Sequence, residues 1–310
     1  MKIITLTLSP AFDVHAYGEE LIADHENVAT VTARDAGGKG INISRALSVF
    51  GVKSFAVAVL GEENGEDFAR AVRSDGIDIL PIFDNGRIRE NITVHTKNGK
   101  ETRLSFTSTP VSADILSKVE EKIKELITGD TVLTVTGRIP DGIKVSDVKD
   151  MIRRFKSLGT KIVIDSRSFS LSDIIEVTPY LIKPNEEEIA TYIKKPVNSV
   201  NEATEAAGEL YAKGIENAIV SLGEKGAVLA SENGIFHAET PKITPVSTIG
   251  AGDSSIAGFL MGISLGESTE NSLRRAIAFG TAACLTEGTR PPRTCDVENI
   301  IKEVTVNKID

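Results

Sequence analysis

Residues 247–258 read STIGAGDSSIAG, a stretch almost without side chains that carries one carboxylate, Asp253. Two readings fit it. Asp, Ser and Gly all favour a helix N-cap, so Asp253 is an ordinary helix start. In the other reading Gly250, Ala251 and Gly252 form a turn whose N–H groups converge on a charged oxygen, with Asp253 beside it as a base.

Three more clusters carry the same ambiguity. GGKG at 37–40 precedes a run in which Ile43, Ala46, Leu47 and Phe50 mark a helix. Free N–H groups and the dipole at that helix start favour an anion. Lys39 opposes the dipole there, which leans towards a bound anion. Lys183-Pro184-Asn185-Glu186-Glu187-Glu188 follows a strand-like run. Asn185 and Glu188 form either an N-cap box or an oxygen pair that holds hydrated Mg²⁺. Ser221-Leu222-Gly223-Glu224-Lys225-Gly226 lies between two strand runs and reads equally as a phosphate loop or a hairpin turn. Arg87, Arg89 and Asn91 cluster in an alternating stretch, and Asp13 and Asp165 each end a strand-like run. The four histidines (15, 25, 95, 237) form no pattern, which argues against a histidine triad or a zinc site. Neither GxxxxGK[ST] nor GxGxxG between strand and helix is present.

These residues need a rigid frame. Strand-like runs fall at 2–8, 54–60, 77–82, 131–136, 161–165, 180–183 and 217–222, alternating with amphipathic helices such as 112–127 and 145–158. That rhythm predicts a parallel sheet covered on both faces. Segments 12–32 and 86–107 break it; the second alternates about an Asn98-Gly99 turn signal. They predict a small β-lid. The expected division is a core of residues 1–11, 33–85 and 108–310, and a discontinuous lid of 12–32 and 86–107.

Composition bounds the function. The chain has 310 residues, 41% hydrophobic and 25% charged, so a sizeable core is expected and disorder is not. A net charge of −9 argues against nucleic acid as a partner. Two cysteines outside any metal-ligand spacing suit a reducing, cytoplasmic setting. No run approaches membrane-spanning length.

Taken in order, Ala36-Gly37-Gly38-Lys39-Gly40-Ile41-Asn42, Lys183-Pro184-Asn185 with Glu188, Ser221-Leu222-Gly223 with Gly226, and Ser247 to Ser254 resemble the ribokinase-like (PfkB) sugar kinases. The opening TLTLSPAFD at 5–13, GGKGIN at 37–42 and GRIREN at 86–91 resemble the 1-phosphofructokinase and tagatose-6-phosphate kinase branch. The resemblance implies a three-layer α/β/α sandwich with a mainly parallel sheet and a β-sheet lid. It implies ATP and Mg²⁺ used on a ketohexose monophosphate, with fructose 1-phosphate ahead of tagatose 6-phosphate or another sugar, and a non-catalytic binding regulator as the rival class. Asp253 matches the general base, and Gly250, Ala251 and Gly252 the anion hole. Asp13, Gly38, Lys39, Asn42 and Asn91 match sugar contacts, and Arg89 the substrate's phosphate ligand. Lys183, Asn185, Ser221, Gly223 and Gly226 match the nucleotide site, with Ala278 and Thr281 near adenine; Asn185 and Glu188 match the Mg²⁺ motif, acting through water. Ile88, Arg138 and Arg167 depart from the branch pattern, and Arg138 either adds a second phosphate ligand or blocks a sugar pocket. A helix start should favour the ionised form of Asp253 and make it a weak base. Exposed lid edges invite pairing, so a homodimer through the lid is expected.

Overall fold

A computed structural model describes residues 1–309. In chain order the elements begin β1 (Lys2–Thr7), β2 (Ala11–Gly18), β3 (Ala29–Gly37), α1 (Lys39–Val49), β4 (Ser54–Gly61), α2 (Gly65–Ser74) and β5 (Asp78–Asp84). Next come β6 (Arg89–Thr96), β7 (Glu101–Leu104), α3 (Ile115–Lys124), β8 (Thr131–Thr136), α4 (Val145–Ser157), β9 (Lys161–Asp165), α5 (Leu171–Val177) and β10 (Leu181–Ile182). The chain continues through α6 (Glu186–Ile193), α7 (Val200–Ala212), β11 (Asn217–Ser221), β12 (Ala227–Ser231) and β13 (Gly234–Ala238). It ends with α8 (Ala251–Ser264), α9 (Thr269–Ala283), α10 (Thr294–Glu303) and β14 (Val306–Ile309).

The large sheet has ten strands in the order β14-β13-β12-β11-β10-β9-β8-β1-β4-β5. From β5 through β11 neighbouring strands run parallel; β12, β13 and β14 are antiparallel additions at one edge. Both faces are covered, which suits the near-continuous Val/Ile runs. Alternation along β1 sends Ile4 and Leu6 into one apolar cluster with Val148, Ile152 and Phe155 of α4, and Ile3 into another with Phe259 of α8 and Phe279 of α9. From β1 the chain winds outward to β4 and β5 on one side and to β8, β9 and β10 on the other. Such a reversal opens a crevice at the carboxyl ends of the central strands. The residues after β1, β8, β9 and β10 all emerge there.

The smaller sheet has the order β3-β2-β6-β7. Its turn at Asn98-Gly99 has Gly99 at φ +78, the left-handed region that such a turn needs. One boundary requires correction. Residues 33–37, assigned from sequence to the core, continue β3 and pair with β2 as far as Gly37 opposite Ala11. A strand in this sheet therefore runs directly into α1, so GGKG links the lid to the core. A third apolar cluster, with Phe12, Ile41, Ala58, Phe68 and Ile88, lies where the two sheets meet.

Candidate active site

The small residues of the opening stretch serve two purposes. Gly250 caps α8 at φ +81, and no side chain caps that helix. The N–H groups of Gly252 and Asp253 therefore have no partner within the helix. A Cβ on Gly252 would lie 3.1 Å from Lys183 Nζ, so any side chain there would enter the space between the helix start and that ammonium. Further along, Gly258 and Gly262 are small for packing. A Cβ at these positions would sit 2.7 Å from the Arg275 carbonyl oxygen and 2.6 Å from Ser272 Oγ, both on α9.

Asp253, the third residue of α8, is buried, and its Oδ2 accepts a hydrogen bond from Asn42 Nδ2 at 2.8 Å. Burial pushes its carboxyl up to about 6, helped by Asp165 and opposed by Lys39, Asn42 and Lys183. This reverses the sequence-based expectation: desolvation outweighs the helix start, and the group is a better base than a helix-terminal carboxylate in water. Asn42 is itself fixed, since its Oδ1 accepts from Arg45 Nη1 at 3.1 Å while Arg45 Nη2 donates to the Ala36 carbonyl at 2.6 Å.

The GGKG glycines are demanded by close approach. A Cβ on Gly37 would meet Asp13 Oδ2 at 2.7 Å, and one on Gly40 would meet Thr7 Oγ1 at 2.5 Å. Gly38 has φ +141, and a Cβ there would also lie 2.8 Å from Thr7 Cγ2. Lys39 opens α1 against its dipole because Asp165, at the end of β9, accepts from its Nζ at 2.9 Å. Burial works against that ammonium, but Asp165, Asp253 and Glu188 outweigh it and hold it above the ordinary lysine pKa.

The lid supplies the other wall. Asp13 on β2 stands opposite Asn91 on β6. Its Oδ1 accepts from Asn91 Nδ2 at 3.0 Å and from Arg103 Nη2 at 2.7 Å. Arg89 Nη1 donates to the Phe106 carbonyl at 2.7 Å, while its Nε is buried without a partner. Arg89 is pulled below its ordinary pKa by desolvation, then by the nearby Arg138 and Arg103 charges, against Asp13. Arg103 is a residue that sequence reasoning missed. A cleft of about 860 Å³ separates the lid, at His15 and Asp35, from segment 247–249 leading into α8, a volume in the range of small-ligand sites.

Asn185 and Glu188 form a full capping box: Asn185 Oδ1 accepts from Glu188 N at 2.8 Å, and Glu188 Oε2 from Asn185 N at 3.2 Å. Glu188 Oε1 accepts from Arg167 Nε at 2.9 Å. Both carboxylate oxygens are thus engaged, and this pair suits Mg²⁺ only through water. Among the described residues no group of three His, Cys, Asp or Glu side chains converges as a metal site.

The Ser221 segment is a hairpin turn between β11 and β12, joined to the Lys183 motif by Ser221 N donating to the Pro184 carbonyl at 3.0 Å. Gly226 there is structural: at φ +90, a Cβ would fall 1.8 Å from the Ala238 carbonyl oxygen. Gly223 has open space around it. Thr281 and Ala278 lie on α9, both buried. Ala278 belongs to the apolar cluster with Phe259 and Phe279, one turn before Thr281 on the same helix.

This assembly of helix start, lysines, carboxylate and arginine-lined lid has known relatives. The pfkB family carbohydrate kinase model matches residues 9–295. The chain belongs to the pfkB family. The 1-phosphofructokinase of Borreliella burgdorferi is 34% identical over 286 residues, covering 91% of this chain and 92% of that protein. The 1-phosphofructokinase of Escherichia coli K12 is 31% identical over 283 residues, covering 91% and 90%. A crystal structure of phosphofructokinase-2 from Escherichia coli in complex with potassium superposes with a TM-score of 0.92 at 26% identity, covering 97% of this chain and 98% of that one.

Within this pfkB kinase the three departures have distinct places. Ile88 packs into the apolar cluster beneath the lid, its backbone held by Asn64 Oδ1 at 2.8 Å and Nδ2 at 3.0 Å. Arg167 is exposed and bridges Glu187 and Glu188. Arg138 follows β8, and its charge adds to burial in pulling Arg89 below its ordinary pKa. No helix among the described residues is long and apolar enough to cross a membrane.

Proposed function

We propose that this pfkB kinase transfers the γ-phosphoryl group of ATP to a hydroxyl of a ketohexose monophosphate, with fructose 1-phosphate as the preferred acceptor and fructose 1,6-bisphosphate as product. The observation that carries the reading is the buried Asp253, bonded to Asn42 at 2.8 Å, beside an uncapped helix start and Lys183. The acceptor hydroxyl gives its proton to Asp253 Oδ1 as its oxygen bonds to the γ-phosphorus. The bond from that phosphorus to the β,γ-bridging oxygen breaks, and ADP leaves with the electron pair. Phosphoryl transfer is governed by positioning and charge. The N–H groups of Gly252 and Asp253, the dipole of α8 and Lys183 offset the charge on the moving group. Mg²⁺ arriving with the nucleotide would neutralise phosphate charge, held through water at Asn185 and Glu188. Asp13, Asn91 and Lys39 hold sugar oxygens, Ser221 and Gly223 border the nucleotide, and Thr281 faces its base.

The charge around Arg89 favours a phosphorylated acceptor, because a neutral sugar needs no such cluster. Pairing of two lids, and with it a homodimer, is the expected assembly, and the cytoplasm the expected compartment. The test is ADP release with fructose 1-phosphate, tagatose 6-phosphate, fructose 6-phosphate and the unphosphorylated sugars. The expected result is the highest kcat/KM with fructose 1-phosphate; equal or better turnover of a bare sugar would overturn the assignment.

A further inference from the structure

Two lid histidines, His15 and His95, line the cleft between the lid and the segments around α8. His15 follows Asp13 by two positions on β2, so strand alternation sends its side chain to the same face as that carboxylate. His15 Nδ1 and His95 Nε2 of β6 stand 3.1 Å apart, one donating and the other accepting, and the rings stack with centroids 5.4 Å apart and planes 15° from parallel. His95 Nδ1 in turn lies 3.6 Å from Glu101 Oε2 on β7. A chain of three side chains thus crosses the lid sheet and fixes the His15 ring, with Nε2 at its outer tip. That tip reaches the opposite wall. A Cβ on Gly288 would lie 3.5 Å from His15 Nε2 and 3.6 Å from its Cε1, so the imidazole rests against bare backbone. Gly288 has φ +56, a conformation that favours glycine there. The next residue, Thr289, packs on the anion cradle: a Cβ on Gly250 would meet Thr289 Cα at 3.4 Å. Segment 288–289 therefore stands between the lid's His15 and the glycine that caps α8.

We propose that His15 is a positioning residue for phosphoryl transfer. Through its contact with Gly288 it ties the lid that covers the acceptor to the glycine turn that receives the moving phosphoryl group. The bond to His95 holds the ring extended, and the ring's tip sets where segment 288–289, and with it Gly250, stands. Acceptor and nucleotide then reinforce each other's binding, because each orders one side of the same contact. The proposal rests on the sugar-phosphate kinase reading above, but the two fail differently. A parent that turns over no sugar phosphate fails the kinase reading and takes this proposal with it. A parent that does so, with a His15 contact that proves idle, fails this proposal alone.

The experiment compares the parent with His15→Asn and His15→Gln. An Asn amide nitrogen lies where Nδ1 lies, so it keeps the partner at His95 and falls short of Gly288. A Gln amide nitrogen lies where Nε2 lies, so it reaches Gly288 and gives up His95. The measurements are kcat and KM by ADP release with fructose 1-phosphate, the melting temperature, and the Kd of fructose 1-phosphate by calorimetry with and without a non-hydrolysable ATP analogue. In the parent the analogue should tighten fructose 1-phosphate about fivefold or more. His15→Asn should lose that coupling and about tenfold or more of kcat. Its melting temperature and its Kd for fructose 1-phosphate alone should stay parental, the latter within about twofold. His15→Gln should keep more of both the coupling and kcat than His15→Asn. Any other order overturns the proposal: a parental Asn variant beside an impaired Gln variant would confine His15 to the lid's own sheet, and coupling absent from the parent or intact in both variants would leave the contact without a role.

Discussion

Replacing Asp253 by Asn should make the protein more stable while stopping its chemistry. Burial raises the carboxyl from 3.8 to about 6. Each unit corresponds to about 1.4 kcal/mol, so the ionised carboxylate costs the folded state about 3 kcal/mol. The sign follows from the folded pKa lying above the unfolded one. The stability tied to the protonated group is fully present below about pH 4 and is lost as pH rises through about 6. Asn has the same shape and no charge to desolvate, and its side-chain oxygen can still accept from Asn42. Urea unfolding without ligands should therefore show Asp253→Asn more stable by about 3 kcal/mol at pH 8, with the gap closing towards zero near pH 4. A variant less stable than the parent at pH 8, or a difference independent of pH, would refute the idea that a buried charge is maintained here for function.

Two further substitutions separate site from scaffold. Gly252→Ala should leave the melting temperature unchanged or raise stability by about 0.5–1 kcal/mol, since Ala is the better helix former. Its methyl would stand 3.1 Å from Lys183 Nζ, so kcat should fall about tenfold or more through the blocked anion cradle; parental kcat by ADP release would argue against a phosphoryl group there. Gly226→Ala should act in the opposite sense, costing about 3 kcal/mol or more in denaturant unfolding through left-handed strain and overpacking. A small change in its unfolding midpoint would show that the hairpin can yield.

The parallel sheet, the helices over it and the extra sheet were readable from the chain because their cue is local: Val/Ile runs, a 3.6-residue period, an Asn-Gly turn. The end of β3 was harder to place, because residues 33–37 carry the glycines of the following helix start as well as the strand's last pairs. Asp253 and Lys39 were visible as residues unusual in their local setting, and Lys183 and Arg89 through the motifs that contain them. Their connections were not visible. Asn42 meets Asp253 across 211 positions, and Lys39 meets Asp165 across 126. The desolvation that reverses the expected pKa of Asp253 depends on packing that no local pattern records. Arg103 escaped notice because ETRL at 101–104 reads as an exposed, solvated strand.

The most direct test is a side-by-side ADP-release assay of the parent and Asp253→Asn with fructose 1-phosphate at saturating ATP and Mg²⁺, accompanied by ATP binding measured on both. The parent should turn over, and the variant should lose about 10²-fold or more of kcat, as expected when a positioned base is removed, while binding ATP with unchanged affinity. Near-parental turnover by Asp253→Asn would contradict the central claim that this buried carboxylate takes the acceptor's proton.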